Sequence, residues 1–136
     1  MGEIWIFGHS PSDEHEKFKT ESEILEWMKE GLFEKEDHRY RYTQIRKDVS
    51  TIVVSFDGKV LGYFNVKDSI EPSKDDINHF SRSKWVYLID HSNVFRIQNK
   101  ASVFGIIDYQ FGKQISEQTF EDIKSKGGGT DTFPKN

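Results

Sequence analysis

Thr51–Val66 reads TIVVSFDGKVLGYFNV. Two runs rich in Val, Ile, Phe and Tyr flank the pair Asp57-Gly58. Such side chains suit a pleated surface packed on a core. Asp-Gly is favoured in a two-residue hairpin turn, where both central positions need positive φ. The segment predicts strands at about 51–56 and 59–67 joined by that turn.

Upstream, Glu3–Phe7 (EIWIF) is a short apolar strand ended by Gly8-His9-Ser10-Pro11. Thr20 and Glu23 have capping-box spacing, in which each side chain satisfies the other's free backbone N–H. Behind them Leu25, Met28 and Leu32 repeat at helical spacing beside Ile24. This predicts a helix over about 21–31 that Gly31 can stop. The stretch 38–47, HRYRYTQIRK, alternates cations with aromatics and holds no acid. It reads as a strand or an extended segment. One reading packs Tyr40 and Tyr42 inward with solvated arginines; another sets Arg39, Arg41, Arg46 and Lys47 on phosphates. The two are compatible.

Downstream, 68–83 is a long polar stretch expected to be a loop, yet it holds Ile77 and Phe80. Long loops in small domains are often functional. KWVYLID (84–90) and NVFRI (93–97) read as strands across a turn at His91-Ser92, and SVFGIID (102–108) as a short strand or turn. Ser116 caps a final helix with acids early and Phe120 and Ile123 on one face. The expected fold is α+β: a small curved β-barrel of five to six mostly antiparallel strands flanked by two to three helices. Closure would remove the exposed edges of such short strands. The domain is expected over 1–125, with 126–136 a Gly-rich flexible tail or a linker to a possible further domain.

The chain has 136 residues and a net charge of −4. Residues 1–37 hold 11 acids and 4 bases, net −7, whereas 38–136 hold 12 acids and 15 bases, net +3. The later part can therefore present a basic face. There is no cysteine, so no thiolate metal site, disulfide or Cys nucleophile. No signal peptide or membrane-length apolar run is visible, which suggests a cytoplasmic, intracellular protein. P-loop, GxGxxG, HExxH and GxSxG motifs are absent, and the five histidines are scattered. No metal, cofactor or catalysis is expected. The pairs Asp13-Glu14 and Asp75-Asp76 read by themselves as solvated loop acids.

The order of these segments resembles the PUA-like superfamily, most nearly its YTH and EVE branches. EIWIFGHSPSDE is similar to the opening strand and turn. IVVSFDGKVLGYFNV resembles the central hairpin, including Ser55 and Gly62. KWVYLIDHSNVFRI and GKQISEQTFEDI are similar to the later strands and closing helix. The resemblance covers most of 3–124 and implies a nucleic-acid reader, of DNA or RNA, that holds a modified or flipped base in an aromatic pocket. It implies His9 and Ser10 at the strand end, Glu14 or Asp13 on the base edge, and Phe33 and Phe80 as walls. Trp5, Trp27, Tyr40, Tyr42, Ser55 and Trp85 are secondary candidates, with core packing the simpler role for the tryptophans. Such a domain would suit the specificity module of a modification-dependent restriction system. The alternatives are an ASCH-like RNA-processing enzyme, or a module binding protein or small ligands on the same fold.

Overall fold

The computed structural model describes residues 2–9, 18–28, 39–44, 48–57, 59–97, 113–126 and 130–132. The strands are β1 (Glu3–His9), β2 (Arg39–Tyr42), β3 (Val49–Phe56), β4 (Lys59–Ile70), β5 (Trp85–Ile97), β6 (Lys113–Ile115) and β7 (Thr130–Thr132). The helices are α1 (Glu21–Glu26), α2 (Lys74–His79) and α3 (Glu117–Lys126). SVFGIID lies outside the described residues.

The predicted hairpin forms β3 and β4, paired from Thr51↔Asn65 to Phe56↔Lys59. Asp57 takes the positive φ that the turn requires, 51°. β1 lies parallel to β3, the one parallel pairing among the described residues, and antiparallel to β6. The sheet order is β2-β5-β4-β3-β1-β6, with β7 also on β5. Among the described residues β2 and β6 end this path without pairing to each other. The sheet is therefore open, which corrects the closed barrel. Its end strands have only four and three residues, and a short edge leaves few backbone groups for unwanted pairing.

Both faces of the sheet are covered. On one face Phe7, Ile52, Val54 and Phe64 pack with Ile24 and Met28 around α1. On the other, Ile6, Val53, Val60 and Tyr63 pack with Phe120 and Ile123 of α3. Neighbours in one strand thus serve opposite layers, as the pleat demands. This two-sided burial explains why 51–56 is a continuous apolar run rather than a strict alternation. Thr20 and Ser116 cap their helices as predicted, but the Glu23 carboxylate accepts from Lys19 N at 3.3 Å rather than from Thr20 N, so the expected box is not reciprocal. Thr20 Oγ1 accepts from Glu23 N and donates to the Glu23 carboxylate, both at 3.2 Å. Ser116 Oγ accepts from Thr119 N at 3.1 Å.

Three expectations need correction. The stretch 68–83 is not a plain loop: β4 runs on to Ile70, and Ser73 caps α2 through a full capping box with Asp76. The turn at His91-Ser92 is strand, since β5 is continuous from Trp85 to Ile97. Between Phe64↔Val94 and Val66↔Ile89 the register slips, with two steps on β4 against five on β5. A bulge of this kind bends paired strands without ending them. Beyond it β2 occupies the far edge of β5 at Trp85–Leu88, and β7 takes the same edge at Phe95–Ile97. Thr130–Thr132, in the stretch expected to be a tail, is thereby tied to the sheet.

Candidate functional site

β2 divides its side chains as its alternation predicts. Tyr40 is buried, and Tyr42 stacks on Phe7 with ring centroids 4.0 Å apart and planes at 6°. Arg39 and Arg41 point the other way, toward α2. There the Asp76 carboxylate, 1% exposed, accepts from Arg39 Nη1 at 2.9 and 3.2 Å and from Arg41 Nε at 2.9 Å. Ser73 N and Oγ also donate to it at 2.9 Å. Burial alone would raise the Asp76 carboxyl. The Ser73 hydrogen bonds, the Arg39 charge and the Arg41 hydrogen bond outweigh it, and hold the group below the ordinary carboxylate value. Arg39 and Arg41, expected on phosphates, are thus engaged with a buried acid. Asp76, expected to be a solvated loop acid, is structural, whereas its neighbour Asp75 is exposed. The Ser73-x-x-Asp76 spacing was the available signal for it.

On the opposite face of β2, the Tyr40 hydroxyl lies 2.9 Å from His9 Nε2 at the end of β1. When that hydroxyl donates, His9 is the tautomer protonated on Nδ1. The His9 ring stands edge-on to Phe18 at 5.7 Å. Trp27, partly buried, leans on Phe18 at 5.3 Å and on Tyr40 at 5.5 Å. His9, Phe18, Trp27 and Tyr40 therefore form one aromatic wall where β1 leaves the sheet. Phe18 was missed as a site candidate, because a single Phe in a polar run gives no periodicity to read. α1 brings it in by packing against Phe7 and its neighbours.

The other candidates divide clearly. Trp85 is buried in the core. Trp5 packs at its border and donates from Nε1 to Glu3 at 3.0 Å. Ser55 is buried, and its hydroxyl donates to the Phe7 carbonyl at 3.5 Å. Phe80 caps the C-terminus of α2 and is partly buried. Because α2 docks on the face of β2 opposite His9, Phe80 does not join the His9 wall. Ser10, Asp13, Glu14, Phe33, Arg46 and Lys47 lie outside the described residues.

A separate open cleft of about 770 Å³ runs between the start of β1 and the start of α3. Glu3, Glu117 and Glu121 line it, a set that repels a polyanion. Among the described residues no His, Cys, Asp or Glu group could hold a metal ion, and no helix is long and apolar enough to cross a membrane.

No protein-family model and no curated protein matches the chain. Among solved structures it is similar to a mutant of ZmASCH from Zymomonas mobilis, with TM-score 0.54 and 9% identity over 90% of this chain and 95% of that one. The likeness does not select the YTH or EVE branch. At this identity the likeness is one of fold: the chain shares the small α+β architecture of that structure, built here on an open, mostly antiparallel sheet.

Proposed function

We propose that this chain binds single-stranded nucleic acid and seats one unstacked base on Trp27, which His9 and the buried Phe18 and Tyr40 hold in place. The observation that carries the reading is the partly exposed Trp27 ring, held at a strand end beside a histidine that is hydrogen-bonded to a buried tyrosine. Every base has a π-face, and stacking on an aromatic is worth about 1–3 kcal/mol per base. This offsets the few kcal/mol spent on removing a base from its stack. Likeness in fold to an ASCH protein supports the same direction, as analogy.

The finer proposal is a modified base. On it, Ser10 and Glu14 or Asp13 complete the polar edge, Phe33 adds a wall, and Arg46 and Lys47 meet phosphates. The domain then selects targets without cutting them, as a module in a modification-dependent restriction system would.

Titration of RNA and DNA oligonucleotides, plain and base-methylated, at several salt concentrations tests this. Trp27→Ala should weaken binding by about 5- to 150-fold, the stacking energy of one base. Unchanged affinity in that variant would remove the base site. Cleavage products on a gel would replace the reading with an enzyme.

A further inference from the structure

Among the described side chains two lysines are partly buried, Lys124 and Lys59. Lys124 pairs with Glu121 at 2.7 Å and lies over the Phe120 ring at 4.4 Å. Lys59 has no ion pair and no side-chain hydrogen bond among the described residues. Burial of an unpaired lysine, even in part, runs against its strong hydration. The strand register sets it beside the proposed base site. His9 pairs with Phe56 across β1 and β3, and Phe56 pairs with Lys59 across the hairpin. Directly paired residues share a face of the sheet, so His9, Phe56 and Lys59 form one row at the end where β1 leaves it. Phe56 belongs to the same buried cluster as Phe18 and Tyr40, against which Trp27 packs, so the row lies on the Trp27 face. The Asp57 N–H donates to the His9 carbonyl at 2.9 Å and ties the hairpin turn to this strand end. Two strand spacings, about 10 Å, separate the backbones of Lys59 and His9.

An ammonium set two strands from a stacking site fits a ligand that carries an anion at a fixed reach from an aromatic ring. A nucleotide is such a ligand, and lysine meets its phosphate as a compact point charge. Resting on the base-stacking reading above, we infer that the unit this strand end takes is a nucleotide, with its base on Trp27 and its phosphate on Lys59. The phosphate is that of a free nucleoside monophosphate or one link of a strand. A nucleoside engages Trp27 alone and brings no anion to Lys59. Asp57, exposed in the same turn, is the acid nearest Lys59 in sequence and opposes the incoming phosphate.

Calorimetric titration of the full chain with a nucleoside, its 5′- and 3′-monophosphates, inorganic phosphate and an oligonucleotide tests the inference. One monophosphate should bind about 10-fold more tightly than the nucleoside, the gain from one partly exposed charge-assisted hydrogen bond. Lys59→Gln keeps most of the stem and removes the charge. It should abolish that preference and leave nucleoside binding unchanged. On the oligonucleotide it should make the slope of log affinity against log salt shallower by about 0.7. Lys59→Arg should keep both preference and slope. Asp57→Asn, which still accepts the positive φ, should tighten only the phosphate-bearing ligands. Oligonucleotide binding no tighter than that of the monophosphate makes the free nucleotide the ligand, and tighter binding makes it the strand. Equal binding of nucleoside and both monophosphates, or a wild-type slope in Lys59→Gln, overturns the phosphate site and leaves the Trp27 site standing. Inorganic phosphate that binds as tightly as the monophosphates, with Trp27→Ala affecting neither, overturns the base reading and the inference with it.

Discussion

Asp76→Asn isolates the contact on which the placement of α2 depends. The substitution keeps the size of the side chain and removes its charge. The carboxylate accepts five hydrogen bonds: two from Arg39, one from Arg41 and two from Ser73. An asparagine has one acceptor oxygen. Whichever way its amide turns, an N–H of the amide faces an N–H of a guanidinium. Breaking a buried ion pair from one side costs about 3–5 kcal/mol. Arg41 is 12% exposed and belongs in that range, but Arg39 at 32% is partly screened by solvent. The lower end, about 3 kcal/mol, is therefore the expected loss. In a urea titration followed by circular dichroism it should lower the midpoint by roughly 1.5 M. Asp75→Asn, at an exposed neighbour, should stay within about 0.5 kcal/mol of wild type. Acidity supplies an independent check. The folded carboxyl is held below its unfolded value, so its stabilisation is present above about pH 4 and is lost as pH falls through the folded value. The gap between wild type and Asp76→Asn should be constant from about pH 7 to 5 and narrow below about pH 4. A gap under about 1 kcal/mol at neutral pH, or one insensitive to acid, would refute the clamp.

Other expectations follow from the same geometry. Phe7→Ala removes a fully buried ring stacked on Tyr42 and should cost about 3–5 kcal/mol in thermal or urea unfolding. Asp57→Ala should cost about 1–2 kcal/mol, because alanine resists the positive φ at the hairpin turn. Asp57→Gly should be close to neutral in the same assay, since glycine accepts that conformation. Ser116→Ala should lower stability by about 1 kcal/mol through loss of the α3 cap.

Much of the architecture was legible in local chemistry. The Asp57-Gly58 turn, the Thr20 and Ser116 caps and the inward tyrosines of β2 all appear where the sequence pattern put them. Each depends on residues within a few positions of one another, so a linear reading suffices. The helix in 68–83 was equally local, because Ser73 and Asp76 have cap spacing, but it was hidden by its length of only six residues. The site was less legible. His9 was recognised at a strand end, yet its partners Phe18, Trp27 and Tyr40 come from three separate segments.

The sequence by itself determined the kind of element at most described positions, because backbone preferences, caps and pleat alternation act over one to four residues. It also determined that aromatics would dominate the core, since so polar a chain has few other large apolar groups. Only the tertiary structure decided what those elements face. Asp75 and Asp76 are the same residue type in adjacent positions, yet one is solvated and the other holds two arginines more than thirty residues away. The parallel seating of β1 on β3, the bulge within β5 where a turn at His91-Ser92 was expected, and the open rather than closed sheet have the same origin. Register and face coverage are set by packing among distant segments, and no local propensity encodes them.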